Sequence, residues 1–224
     1  MLKLLHLCDS LFPIGSFGYS DGLEAAMVRL PPDAAAAAAL RDWIDVCLDE
    51  TIGRLDAPIV ARAWSLLGDE DWDALAALDA ESAALRPSAA LRKANRAMGY
   101  RLLTTWQALY PDACAARVLA MAAAGAIGPS LPIAFACAAR AAGADRRGGV
   151  EAFAYTRLAA TASAAMRLMP IGQTDTHGLL ARALDRVPAV VDAAIARGMP
   201  EPFTPRVDIA SMRHQYLHSR LFRT

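Results

Sequence analysis

The large hydrophobic residues recur at intervals of three and four positions along most of the chain. One such stripe comprises Leu40, Trp43, Ile44, Cys47, Leu48 and Leu55. This spacing places apolar side chains on one face of a helix. Similar patterns predict long helices at 40–55, 88–110 and 155–169 and shorter helices at 21–30, 58–67, 70–85, 113–124, 131–142, 176–186 and 188–197. The pattern therefore predicts about ten helices.

Residues that start and stop helices agree with these boundaries. Asp33 and Ser88 can cap the first turns of two long helices. Gly53 lies near the end of the first long helix, and Pro170 stops the third. Runs of alternating β-branched and aromatic residues, which would predict strands, do not occur, and no loop resembles a domain linker. We therefore expect an all-α, single-domain helical bundle over residues 1–224.

The charge balance excludes several classes of partner. Lys plus Arg equal Asp plus Glu at 23 each, so the formal net charge is zero and no overall field attracts nucleic acid or an anionic membrane. Weak repulsion between neutral molecules favours a homodimer or a bound partner. No secretory signal is recognisable, which predicts a cytoplasmic protein. The apolar stretch 118–142 is interrupted by Gly125 and Pro129, which indicates a turn between soluble helices rather than a membrane span.

One cluster of residues offers an enzymatic alternative. Gln173, Asp175 and His177 could supply an acid and a base in a small all-α enzyme. Residues two positions apart, however, point to different sides of a helix start, and an Asp or Thr there is more often a helix cap. The chain has no nucleophile elbow and no phosphate-binding loop. The favoured interpretation is that the chain is neither an enzyme nor itself a GTPase.

One pair of histidines has a spacing that is compatible with metal binding. His214 and His218 are four positions apart, so both imidazoles would share one face of a helical tail, and a nickel-storage protein is a second alternative. Two ligands do not complete a metal shell, and we expect no resident metal or cofactor. The cysteines are too widely separated for a zinc or redox motif and are interpreted as buried small hydrophobic residues: Cys8, Cys47, Cys114 and Cys137.

Three segments depart from the helical pattern. Residues 9–24 hold several glycines among aromatic residues, 170–173 form a sharp break after a long helix, and 209–224 concentrate arginine and aromatic residues. Arginine and aromatic side chains are enriched at protein interfaces. The tail therefore either binds a partner or docks on its own bundle. If it is helical, Arg213 and Arg220 share one face with the leucine between them.

The same three segments carry a family resemblance. Residues 11–24 are Leu-Phe-Pro-Ile-Gly-Ser-Phe-Gly-Tyr-Ser-Asp-Gly-Leu-Glu, residues 166–173 are Met-Arg-Leu-Met-Pro-Ile-Gly-Gln, and residues 209–224 are Ile-Ala-Ser-Met-Arg-His-Gln-Tyr-Leu-His-Ser-Arg-Leu-Phe-Arg-Thr. In this order, the motifs resemble those of the UreF family of urease accessory proteins. The middle of the chain, residues 31–165, resembles the family only in its helicity. Gln215 stands where the family often has Glu.

The resemblance implies a dimeric all-α protein without catalytic activity. Such a protein would bridge a UreH-like protein, called UreD in many bacteria, and the GTPase UreG to apo-urease, and would regulate GTP-dependent nickel insertion. Residues 1–24 would form an N-terminal motif segment and residues 205–224 a partner-binding tail. The residues implied in partner binding are Tyr19, Glu24, Arg167, Gly172, Gln173, Arg213, His214, Tyr216, Arg220, Leu221, Phe222 and Arg223. The tail residues would contact the UreH-like protein, and those within 167–173 the GTPase.

Overall fold

A computed structural model describes residues 1–28 and 35–223. Within these residues the regular secondary structure is entirely helical. The α-helices are α1 (Leu2–Cys8), α2 (Leu23–Met27), α3 (Ala36–Val46), α4 (Ala57–Gly68), α5 (Trp72–Ala84), α6 (Ala89–Leu109), α7 (Ala113–Ala123), α8 (Leu131–Ala141), α9 (Arg146–Leu168), α10 (Gln173–Leu184), α11 (Val187–Arg197) and α12 (Pro205–Arg213). The predicted all-α class is confirmed. Asp33 and the end of the helix predicted at 21–30 lie outside the described residues.

The first long helix continues where the sequence predicts an end. α3, a π-helical stretch at Cys47–Asp56 and α4 form one continuous helix, because the residues that join them keep right-handed helical dihedral angles. The wider π turns immediately precede Pro58, whose ring would clash with the carbonyl four residues earlier in a regular α-helix. Gly53 does not end the helix. It lies where an added Cβ atom would come within 2.7 Å of Val190, so it allows α11 to approach.

The hydrophobic core is built around α8, which is buried along most of its length. This helix packs against α4, α6, α7 and α9. Its small residues Ala134, Ala136, Ala138 and Ala139 are inaccessible to solvent, and small side chains allow neighbouring helices to approach closely. The turn predicted within the apolar stretch is the loop between α7 and α8. Among the described residues, no helix combines the length and the hydropathy that crossing a bilayer requires.

The buried Asp79 of α5 fixes the loop between α7 and α8. Its Oδ2 accepts a hydrogen bond of 2.8 Å from the Gly128 N–H, and its Oδ1 accepts one of 3.0 Å from the Ser130 N–H. The loop presses against α6 at Gly99, where an added Cβ atom would lie 2.1 Å from the Pro129 carbonyl oxygen. Only glycine leaves room for this backbone contact, which holds α6 against the start of α8.

Candidate partner-binding site

The irregular segments predicted from the sequence meet on one side of the molecule. α2 packs against α12, and a short 3₁₀ turn at Ser16–Gly18 packs against α9. Gly22 has a φ of 91°, and an added Cβ atom there would lie 2.8 Å from Ser211 Oγ. A side chain at this position would push α2 and α12 apart, so glycine allows the two ends of the chain to touch.

Glu24 is the buried centre of this contact. The residue lies on α2, is 4% exposed and accepts a hydrogen bond of 2.7 Å from His214 Nε2. The same carboxylate accepts hydrogen bonds from the backbone N–H groups of Leu221, at 2.6 Å, and Phe222, at 3.2 Å. One side chain thus satisfies three donors. It fastens the last residues of the chain to the N-terminal motif segment.

Arg167, which lies on α9, contacts both the N-terminal motif segment and the C-terminal tail. Its guanidinium carbon lies 3.5 Å from the centroid of the Phe17 ring and 4.3 Å from that of the Phe222 ring, which is a cation–π arrangement. Its Nη1 also donates a hydrogen bond of 2.6 Å to the Phe17 carbonyl oxygen. Beside it, the Arg223 N–H donates a hydrogen bond of 2.8 Å to the Gly18 carbonyl oxygen. All three motif segments therefore meet around one guanidinium group.

A cavity of about 950 Å³ adjoins this junction. Its wall is mostly apolar, comes from α1, the segment after it and α9, and includes Phe17, Arg167 and Phe222. Arg157, also in the wall, forms an ion pair with Asp21 of the N-terminal motif segment. The cavity therefore extends the junction inward as a mainly hydrophobic surface with a few charged side chains in its wall.

Several large side chains at the junction remain exposed. Tyr216 is 81% exposed, Phe17 66% and Leu221 55%. The exposed set, which we call the terminal surface, consists of Phe17, Met212, Arg213, Tyr216, Arg220, Leu221 and Arg223. Within the described part of the chain, the guanidinium groups of Arg213 and Arg220 have no partner. The terminal surface is therefore both apolar and positively charged.

The predicted partner-binding residues fall into two groups. The exposed or half-buried members are Tyr19, Arg167, Gly172, Gln173, Arg213, Tyr216, Arg220, Leu221 and Arg223. Glu24, His214 and Phe222 are buried, and in this conformation their side chains cannot touch a partner. Their observed contacts hold the tail in place. Direct partner contact by the first group stays a prediction.

The tail is not the continuous helix that the histidine spacing requires. α12 ends at Arg213, a 3₁₀ turn spans His214–Tyr216, and the residues that follow are not helical. Glu24 binds the N–H groups of residues 221 and 222, which draws the chain away from the helix axis. The predicted arginine and histidine pairs therefore share no helical face, since His214 is buried and His218 is exposed. Of the two interpretations of the tail, docking on its own helices is the one observed.

The alternative enzymatic cluster lies in the first five residues of α10. Gln173, Asp175 and His177 are exposed, whereas Thr176 between them is buried. Interpreting Asp175 as a helix cap is wrong, because the cap position is Gly172 and Asp175 lies inside the helix. Its charge there interacts favourably with the positive end of the helix dipole. None of the cluster lines the large cavity.

The fold also brings close together two cysteines that lie far apart in the sequence. Cys137 Sγ lies 3.8 Å from Cys114 Sγ, and the Asp112 carboxylate completes a cluster whose ligand atoms are within 4.8 Å of one another. Cys137 is fully buried, whereas Cys8, Cys47 and Cys114 are half-buried against the core, so the interpretation of all four cysteines as buried hydrophobic residues holds only in part. The available signal was the short loop between α7 and α8, which predicts antiparallel packing of these helices.

These features define a class of protein. An all-α bundle that exposes aromatic, leucine and arginine side chains where its two ends meet is typical of proteins that bind other proteins. The UreF family model matches residues 34–184, most of which lies in the middle part that the sequence motifs leave unassigned. The chain belongs to the UreF family.

Relatives of the chain match it over its full length. It is 34% identical over 238 residues to the urease accessory protein UreF of Azoarcus sp. (strain BH72), covering 100% of this chain and 95% of that protein. Proteins of the same name from Methylibium petroleiphilum and Ralstonia pickettii are each 35% identical, over 230 and 237 residues, with 100% of this chain and 94% and 97% of theirs covered. The predicted family and the predicted accessory, non-enzymatic role are confirmed.

Proposed function

We propose that the chain bridges a UreH-like (UreD-like) protein and the GTPase UreG to apo-urease, and that it regulates GTP-dependent nickel insertion during urease maturation. It acts in the cytoplasm as a homodimer, and nickel is the cargo of the assembly. Membership of the UreF family supports the role in urease maturation. The observation that carries the proposal is the tail fastened by Glu24, with Tyr216 and Leu221 exposed beside it.

The terminal surface is the proposed contact for the UreH-like protein. Because Glu24 and Arg167 already fix its backbone, binding does not have to order a free tail. Tyr216 and Leu221 can bury apolar area, and unpaired arginine forks can bind carboxylates bidentately. The matching face of the partner is therefore expected to combine acidic residues with an apolar pocket.

The start of α10 is the proposed contact for the GTPase. Gly172 and Gln173 are exposed there, directly after the break that follows α9. Arg167 is half-buried beside this contact and is engaged by two rings and a carbonyl oxygen, so it also positions Phe17 and the tail. The same arginine thereby connects the two proposed contacts, and binding at one can influence the other.

A pull-down with UreH-like and UreG-like proteins tests the bridge. The full chain should capture both proteins, and a chain that ends after Asp208 should capture neither. This truncation also removes the buried Phe222 and His214, so loss of capture could reflect a disturbed fold. The sharper variant is Tyr216→Ala combined with Leu221→Ala, which shortens exposed side chains only.

The matched control is Met199→Ala combined with Phe203→Ala. These residues are 59% and 71% exposed and lie in the loop that Arg54 fastens through its hydrogen bond to the Glu201 carbonyl oxygen. The control should capture the UreH-like protein as the full chain does, and the terminal variant should not. Equal capture by the two variants would contradict the proposed surface.

The proposed homodimer is tested separately. Light scattering during size-exclusion chromatography should give the mass of a dimer, and the mass of a monomer would contradict the proposed dimeric state.

A further inference from the structure

We propose that Asp112, Cys114 and Cys137 form a binding site for a divalent cation of the Zn²⁺ type, which clamps the start of α7 to α8. The three ligand atoms, a carboxylate oxygen and two sulfurs, lie within 4.8 Å of one another. Within residues 1–28 and 35–223, no other three His, Cys, Asp or Glu side chains form such a group. The site does not depend on the partner contacts proposed above.

The separation of the two sulfurs fits a tetrahedral metal. Cys114 Sγ and Cys137 Sγ are 3.8 Å apart. A tetrahedral Zn²⁺ with Zn–S bonds of about 2.3 Å holds two thiolate sulfurs about 3.8 Å apart. A disulfide would need the sulfurs at about 2.05 Å, so the pair would have to close substantially. The two side chains share an S–H···S hydrogen bond here, and their separation already matches the one that a shared metal ion requires.

Asp112 supplies the third ligand from a position that is already fixed. Its Oδ1 accepts a hydrogen bond of 2.9 Å from the Ala115 N–H, which caps α7. Its own N–H donates a hydrogen bond of 3.0 Å to Gln107 Oε1. Contacts of this kind orient a metal ligand and reduce the entropy lost on binding.

The charge and exposure of the site suit an exchangeable cation. Two thiolates and one carboxylate carry three negative charges, of which a divalent cation neutralises two. Arg140, whose guanidinium carbon lies 4.6 Å from the Trp64 ring centroid, interacts electrostatically with both sulfurs and offsets the remaining charge. Three protein ligands leave the fourth position to water, unlike the closed shell of a structural zinc site. Cys114 is half-buried, so the cation can enter from solvent.

Cobalt(II) reports directly on such a site. The full chain, reduced and stripped with a chelator, should bind a single equivalent of Co²⁺ with a thiolate-to-cobalt charge-transfer band and the visible bands of tetrahedral cobalt. An equivalent of Zn²⁺ should remove both signals. Cys114→Ser and Cys137→Ala should each abolish the tetrahedral spectrum. Replacing the buried Cys137 can disturb folding. Because Cys114 is only half-buried, Cys114→Ser tests the site without that complication.

Cys8→Ser and Cys47→Ser are the matched controls. Neither residue belongs to a group of potential metal ligands among the described residues, and burial raises the pKa of the Cys8 thiol to about 11 and that of the Cys47 thiol to about 12. These variants should leave the cobalt spectrum unchanged. Asp112→Asn should keep a thiolate band and weaken Co²⁺ binding by about tenfold or more. No charge-transfer band in the full chain, an unchanged spectrum in Cys114→Ser, or a disulfide between the two cysteines in place of metal binding would overturn the proposal.

Discussion

The centre of the molecule and its terminal surface are held together in different ways. At the centre, α8 is surrounded by other helices, and its small apolar residues are inaccessible to solvent. At the terminal surface, the two ends of the chain are joined by contacts to Glu24 and Arg167. Stability at the centre is shared among many residues, whereas two side chains make most of the polar contacts that join the two ends. The centre can therefore stay folded while the junction changes.

This difference predicts two kinds of response to substitution. Atoms added at the centre disturb several helices at once, so the whole bundle should lose stability cooperatively. Removing one of the side chains that fasten the junction should free the tail while the core persists, because such units can open locally. Global unfolding and local release, measured separately, test the distinction.

The largest effect is expected at Gly99 in the centre. Gly99→Ala would place a Cβ atom 2.1 Å from the Pro129 carbonyl oxygen, so α6 and the loop before α8 must separate. The free energy of unfolding should fall by about 3 kcal/mol, measured by urea denaturation with circular dichroism. The control is Gly178→Ala on α10, whose Cβ atom would meet nothing within 4 Å and which should add about 0.5–1 kcal/mol. Equal stability of the two variants would contradict close packing at Gly99.

The next largest effect is expected at Glu24. Glu24→Ala removes the acceptor for His214 and for two backbone N–H groups. Because the freed tail can reach water, the free energy of unfolding should fall by only about 2 kcal/mol. Limited proteolysis should cleave the tail first while the core resists. Glu201→Ala, which removes only exposed ion pairs, should change stability by less than about 0.5 kcal/mol. A tail in the Glu24 variant as resistant as that of the parent chain would exclude this role.

A smaller effect is expected at Arg167. Arg167→Gln removes the charge that lies between the Phe17 and Phe222 rings, and it should cost about 1 kcal/mol of unfolding free energy. Arg167→Lys keeps the charge but removes the planar stacking, so it should recover only part of that stability. Thermal denaturation of the three proteins compares these values. Full recovery by lysine would show that charge alone matters at this position.

The smallest effect on stability is expected at Tyr216. Tyr216→Ala should change the free energy of unfolding by less than about 0.5 kcal/mol, because an exposed side chain makes few contacts. Its affinity for the UreH-like protein should nevertheless fall at least about tenfold, as at an interface hot spot, measured by calorimetric titration. A loss of stability as large as that of Glu24→Ala would place this residue among the structural contacts.

Local patterns predicted the centre more accurately than the junction. The Ser88 hydroxyl caps α6 by accepting a hydrogen bond from the Leu91 N–H, and Pro170 follows α9 as expected. These signals act between residues a few positions apart, which a sequence displays directly. The π-helical stretch was missed, since glycine and proline usually indicate a helix end.

The junction depends on contacts that periodicity does not encode. His214 and Glu24 are 190 positions apart, and Arg167 lies 150 positions from Phe17. The motifs identified the right segments, but an i, i+4 spacing could not show that backbone hydrogen bonds to Glu24 interrupt the tail helix. The cysteine cluster was missed for the same reason, because it requires knowing which faces of α7 and α8 meet.

Hydrogen–deuterium exchange of the chain, alone and bound to the UreH-like protein, tests most directly whether the terminal surface is the partner-binding site. The account predicts added protection on binding within residues 11–24 and 209–223, with unchanged exchange in α5. Added protection confined to α5 and α7, with none in the two terminal segments, would contradict it.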